Sequence, residues 1–438
     1  MTNKFRWGYI GCGSIAFTTA KEVIKTEDNE IYAAWNRSKE KALKFAKKFK
    51  CKVYENVDDL LKDPNVDGVY INLTADCHYE YMKKCIDDRN NTEIAKWNKN
   101  ISKISQKLDK DIVKEYEKLL LKKEITIEDI TFDKNIKYSG REIAHDILNK
   151  TQDKNILCLA TDTSNSTMIY LDKEASFSNK NLSSRNIRCG VREIGCASIQ
   201  NGLALMGLKT ISSTFLSFSN YMIPSIRMAS LMNLNTVYVF THDSILIGED
   251  GPTHQPIEQL DQLRLIPNVT VYRPSDASEM LEAFEKSFNS NNPSVIVVSK
   301  EKLSVRDKHN YIIKEENDYN VCLIASGTEV DLALSVSDTL ERHMLKARVI
   351  SIPSLEEFDK LDRETKEKIL PKDKLKVVLE LSTCSSYYKY LSQDDLVFNV
   401  TNFMKSGNKY SIINRLNYDA VSISKEIALH VKQKTQEH

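Results

Sequence analysis

Short apolar runs of β type recur along this chain, separated by segments of helix length. The clearest runs lie at 156–161, 237–242, 294–299, 321–326, 347–352 and 376–381. Runs that are apolar throughout, rather than alternating, suit strands buried on both faces, and strand–helix alternation implies a parallel sheet covered by helices. The first 86 residues carry a shorter version of the pattern. Strand-like text stands at 6–11 (RWGYIG), 31–35, 52–54 and 68–73. Between the second and third of these, KEKALKFAKKF at 39–49 places Ala42, Phe45, Ala46 and Phe49 on one helical face, with lysines opposite.

The pattern breaks once. Residues 87–137 are rich in Lys, Asn, Asp and Glu, with charged helical text such as KEYEKLLLK at 114–122 and few apolar positions, which reads as a charged helical connector. A polar stretch at 308–320 divides the remainder. The expected organisation is an α/β chain with a truncated Rossmann-type unit at 1–86, the connector at 87–137, and α/β domains with mainly parallel sheets at 138–307 and 308–438. At 438 residues the length favours two to four domains.

Charge and cysteine usage exclude several classes. Sixty-two basic residues against 61 acidic give a net +1, so no field draws the whole chain to nucleic acid or an anionic membrane. No apolar run reaches the roughly 18–20 residues of a membrane span, and MTNKFRWGYIGCG lacks signal-peptide layout. Nine scattered cysteines without a CxxC pair fit reduced thiols in a cytosol and argue against a cysteine metal site. The expected location is cytoplasmic.

Two stretches carry chemistry. Gly11-Cys12-Gly13-Ser14-Ile15-Ala16 joins a strand to a helix. Gly11 suits the tight turn, Gly13 lets a pyrophosphate approach the backbone, and Ala16 permits close helix–strand packing. Arg37, after the second strand, suits a 2′-phosphate and hence NADP rather than NAD. Further on, GVREIG at 190–195 brings Glu193, TFLSFSNY at 214–221 brings Phe215, Phe218 and Tyr221, THDS at 241–244 brings His242, and GEDGPTHQP at 248–256 brings Asp250 and His254. A glutamate, an aromatic cluster on a helical spacing of three, and two histidines with an aspartate near a strand end suit a ring-binding site beside a polar funnel. The same aromatics could equally be core, and the histidines structural.

These residues resemble two families. GYIGCGSIA, AAWNRSKEKALKFAKKF and VYENVDDLLKDPNVDGVYINL resemble the nucleotide-binding part of the glucose–fructose oxidoreductase / inositol dehydrogenase family, over about a fifth of the chain. That family's EKP motif and substrate domain do not follow, so the resemblance implies weak NADP binding and no hydride transfer. From about 138 onward the text resembles transketolase, through GVREIG, GEDGPTHQP, VYRPSD at 271–276 and LIASGTEVDLALS at 323–335. This implies a pyrimidine-binding domain and a C-terminal domain of transketolase type, thiamine diphosphate as cofactor, and two-carbon ketol transfer between sugar phosphates. In that family a carboxylate on the aminopyrimidine lets the cofactor lose its thiazolium proton, and Glu193 matches it. Phe215, Phe218 and Tyr221 match the ring wall, and Asp162 a position near the cofactor. Asp250 and His254 match contacts to the donor hydroxyls. Arg141, Ser164, His242 and Lys300 match groups that hold the sugar phosphate, with lysine at 300 where the family has arginine.

The family's Mg²⁺-binding GDG motif does not occur in residues 1–137, so magnesium and the diphosphate grip would come from a partner domain, and no metal ligand is expected in this chain. Three readings stay open: half of a split transketolase, paired as a homodimer or with a separate diphosphate-binding subunit; a non-catalytic fusion or degenerate protein; and an NAD(P)-binding oxidoreductase-like sensor.

Overall fold

The computed structural model describes residues 4–73, 80–85, 124–151 and 156–437. The chain forms two compact units, 1–118 and 119–438. The expected connector helices at 114–122 lie outside the described residues, as does the segment 74–79.

In the first unit, β1 (Phe5–Ile10), α1 (Ser14–Val23), β2 (Asn29–Trp35), α2 (Lys39–Phe49), β3 (Lys52–Val53), α3 (Val57–Lys62) and β4 (Gly68–Ile71) build a four-stranded sheet of order β3-β2-β1-β4. Every pairing is parallel. The period-2 geometry of strands sorts the core. Tyr9 and Ala34 pack with Ala16, Ala20 and Phe45 on one face, while their neighbours Ile10 and Ala33 pack with Val57, Leu60 and Leu61 on the other.

The second unit begins its sheets with β5 (Tyr138–Ser139), α4 (Gly140–Asn149), β6 (Leu157–Ala160), β7 (Asn186–Arg188), α5 (Glu193–Leu205), β8 (Thr210–Phe215), α6 (Ile223–Leu231), β9 (Thr236–Thr241), β10 (Thr270–Tyr272), α7 (Ala277–Asn289), β11 (Ser294–Val298) and β12 (Lys302–Leu303). Its main sheet runs β10-β11-β9-β8-β6-β7 and is parallel throughout. Strand β9 is buried at all six positions and β11 at all five, as the unbroken apolar text requires. Residues 124–137, the end of the expected helical connector, run without a helix. Ile125 joins the buried core there, and Ile127, Ile130 and Phe132 pack against it. These apolar residues, spaced two to three apart, serve an extended segment laid over a helix pair.

A second sheet follows, from β13 (Ile312–Lys314), β14 (Val321–Ala325), α8 (Glu329–Leu340), β15 (Ala347–Ser351), β16 (Leu375–Leu379) and β17 (Leu396–Phe398), with α9 (Lys409–Leu416) and α10 (Ala420–Glu437) closing the chain. Its order is β13-β15-β14-β16-β17, parallel except for the edge strand β13.

The two sheet domains of this unit are joined by a buried ion network. Arg273, at the end of β10, pairs with Asp243 at 2.8 Å and with Glu329 at 2.7 Å; Arg264 pairs with Glu380 at 2.9 Å. Their side chains are at most 3% exposed. Burial alone would raise the Glu380 carboxyl, but Arg264 and Arg273 outweigh it and hold it at about 2.

Candidate functional site

Four neighbouring strands of the main sheet deliver candidate residues at their carboxyl ends, where ligands bind in open α/β sheets. Asp162 stands two residues past β6 and Phe215 ends β8. His242 follows β9, and Lys300 stands two residues past β11. The register explains the convergence. Ala160 pairs with Ser213, Phe215 with Thr241, and Thr241 with Val298, so the exits lie side by side.

Two exits are bent sharply. Asp162 has φ +65° and His242 φ +61°. Asp and His are among the few non-glycine types that tolerate this left-handed region, and such conformations persist where the surroundings enforce them. His242 is 4% exposed, and its Nδ1 shares a 2.8 Å hydrogen bond with Thr241 Oγ1.

Arg141 reaches the same edge from another direction. A capping box between Ser139 and Glu142 starts α4. The Gly140 N–H donates to Glu301 O at 3.3 Å and the Arg141 N–H to Ser299 O at 3.2 Å, pinning the helix start to the exit of β11. Arg141 Nη1 donates to Ser166 O at 2.8 Å, while its Nε is buried with no partner among the described residues. Ser164 is buried in the short turn after β6.

The rings form one contact group. Phe215 lies 4.0 Å from the His242 ring centre, 5.6 Å from Phe218 and 6.1 Å from His254. Phe218 lies 5.1 Å from His254 and 6.5 Å from Tyr221. The expected helix is instead the end of β8 followed by a 3₁₀ turn, Leu216–Tyr221. A three-residue period aligns Phe218 with Tyr221. Phe215 and Phe218 are half-buried and Tyr221 is exposed, so the trio is not core. Asp162 and Glu193 make no ring contact of this kind; their elements, the exit of β6 and the start of α5, are what border the group. Glu193 opens α5 and is 8% exposed, at a helix end that favours a carboxylate. Helix α5 packs against the 3₁₀ turn.

Charge defines the polar end. Burial first, then the cations Lys300 and Arg141, push His242 down to about 4, with Asp250 opposing. The ring is therefore neutral at pH 7. Between about pH 4 and 6.5 the unfolded chain binds more protons at this position than the folded one, so acid favours unfolding in that window. The thermal midpoint is expected to fall between pH 6.5 and pH 4, and to fall less in His242→Asn; equal pH dependence in the two would contradict the assignment.

Asp250 and His254 sit on a loop that closes on itself. Gln255 Nε2 donates to Gly248 O at 3.0 Å, and Thr253 Oγ1 meets His254 Nδ1 at 2.9 Å. Ser217 Oγ, Asn220 Oδ1 and Gln255 Oε1 are buried without partners among the described residues. Half-buried rings beside unsatisfied polar atoms fit a flat heterocycle with polar edges.

In the first unit, Gly11 has φ +94°, and a Cβ there would meet Asn72 O at 2.4 Å, so only glycine fits. Above Gly13 there is nothing within 4 Å, and Ala16 is fully buried. Arg37 is exposed just past β2. The sequence reading missed Asn36, whose Oδ1 accepts from the Cys12 N–H of the glycine loop at 2.9 Å. It also missed the Arg273 network: both stand inside text that carries a family resemblance, but nothing local in that text shows the distant partner.

Three family profiles match the chain. "Transketolase, pyrimidine binding domain" matches residues 140–305, "Transketolase-like TK C-terminal domain" matches 310–419, and "Oxidoreductase family, NAD-binding Rossmann fold" matches 5–92. A probable transketolase of Streptococcus pneumoniae is 36% identical over 280 residues, covering 61% of this chain and 43% of that protein. Aquifex aeolicus transketolase is 34% identical over 340 residues, covering 74% and 48%. The chain thus spans less than half the length of these relatives. A transketolase structure from Pichia stipitis, in complex with sedoheptulose 7-phosphate, superposes with a TM-score of 0.70 at 25% identity over 83% of this chain and 56% of that one.

Proposed function

Because the chain carries the pyrimidine-binding and C-terminal domains of transketolase behind an NAD-binding Rossmann domain, we propose that residues 138–438 supply the ring-binding half of a thiamine diphosphate site for ketol transfer between sugar phosphates. The observation that carries this reading is the ring group of Phe215, Phe218, His242 and His254, anchored where Phe215 and His242 leave adjoining strands, with Lys300 and Arg141 acting on His242. When bound, the cofactor supplies a carbon nucleophile for the ketose carbonyl. Phe215 and Phe218 wall its pyrimidine, and Glu193 holds a proton at a pyrimidine nitrogen. Asp162 lines the cofactor from the end of β6. Asp250 and His254 contact the donor hydroxyls. Arg141 offers a buried N–H to the phosphate, and His242, Ser164 and Lys300 complete that end.

The diphosphate and its Mg²⁺ are to be held by a second domain in trans. Isothermal titration of thiamine diphosphate and Mg²⁺ is expected to give measurable binding only when a diphosphate-binding domain is added. Equal binding with and without that domain would overturn the split-site reading.

Association is the companion expectation. Val191, Ile194, Leu205, Met206, Met228 and Leu231 are all exposed on or beside α5 and α6, and apolar groups in such number favour pairing. Light scattering at micromolar concentration is expected to show a homodimer or larger species; a monodisperse monomer, unchanged by the added domain, contradicts this.

The Rossmann unit is proposed to bind NADP weakly, with Arg37 selecting the 2′-phosphate. Titration should favour NADPH over NADH, and Arg37→Asp should remove the preference. Selectivity unaltered by that substitution would count against the reading.

A further inference from the structure

Segment 406–409 of the C-terminal domain reaches the substrate end of the site at two points. Ser406 Oγ donates to Glu249 O at 2.8 Å. Next to it, Gly407 O lies so close to Gly248 that a Cβ there would stand 2.6 Å away, and Gly248 already has φ +64°. The 3₁₀ segment Ile245–Asp250, which ends in the substrate-facing Asp250, thus has its back against this segment, and α9 packs on the same segment.

The second point is Lys409, whose ammonium pairs with Glu301. Glu301 follows Lys300 directly, and its carbonyl accepts from the Gly140 N–H and from Ser299 Oγ. The turn that carries Lys300 is therefore held from one side by the start of α4 and from the other by the C-terminal domain. Lys409 is itself set by α9, whose N-cap Asn408 accepts from the Ser411 N–H at 2.9 Å.

We propose that segment 406–409 is a positioning strut, in which Ser406 and Gly407 set the turn bearing Asp250 and Lys409 sets the turn bearing Lys300. None of the three is a catalytic residue, and each acts through the loop it holds. The strut gives the C-terminal domain a part in sugar-phosphate recognition, although the ring-site residues named above all lie outside that domain. Its functional side rests on the sugar-phosphate reading above.

Hydrogen exchange on the full chain, paired with titration of xylulose 5-phosphate, separates the two. Peptides covering 245–251 in Ser406→Ala, and 299–303 in Lys409→Met, are expected to exchange about threefold faster, the size expected of one partly exposed contact, with core peptides of β14 and β16 unchanged. Affinity for xylulose 5-phosphate should weaken by about the same factor in Lys409→Met and return in Lys409→Arg. Native exchange at 299–303 and native affinity in Lys409→Met, or native exchange at 245–251 in Ser406→Ala, overturns the strut. If the unaltered chain fails to bind xylulose 5-phosphate even with an added diphosphate-binding domain, thiamine diphosphate and Mg²⁺, while each loop still loosens in its variant, the strut stands and the sugar-phosphate reading falls.

Discussion

Glu193→Gln is expected to leave folding and assembly intact while removing proton exchange at the thiazolium of bound cofactor, by a factor of about 10²–10⁴. The substitution keeps the shape of the side chain and its place at the start of α5, so packing against the Leu216–Tyr221 turn survives. What it removes is a carboxylate that can share a proton with a ring nitrogen. Exchange is followed by NMR of cofactor held between this chain and an added diphosphate-binding domain. An unchanged rate in a well-bound variant would remove Glu193 from the mechanism.

The second large effect concerns stability. Arg273→Met is expected to cost about 3–5 kcal/mol, since it leaves Asp243 and Glu329 buried without their shared cation, while Glu380 keeps Arg264. Adding Glu329→Gln should restore part of the loss, because one uncompensated charge is then removed. Urea unfolding of the single and double variants measures both terms. The effect should reach the site as well, because Asp243 adjoins the left-handed His242. A single variant as stable as the parent would show that the network is not held as drawn.

Legibility in the sequence followed the range of the interactions. Buried parallel strands announce themselves as apolar runs, and β9, β11, β14 and β15 stand where the text put them. Short strands such as β7, β13 and β17 carry three residues each, too few to show a period. The strand-end residue His242 could be singled out because polar text directly after an apolar run marks an exit, whereas Asp162 was named by family resemblance alone. The 3₁₀ turn was read as a helix because a spacing of three fits both. Contacts between residues far apart in sequence left no local trace. Arg273 meets partners 30 to 107 positions away, at Asp243, Glu329 and Glu380, and Lys409 meets Glu301 across 108 positions. Only the folded chain brings them together.

Every functional role proposed for residues 138–438 requires that this chain hold half of a ketol-transfer site. The most direct test is an activity assay on the purified chain with excess thiamine diphosphate, Mg²⁺ and sugar phosphates, run alone and with a separate diphosphate-binding domain. The account predicts no transfer by the chain alone, and transfer when the domain is added that Glu193→Gln abolishes. Turnover by the isolated chain, lost in Glu193→Gln, would contradict it.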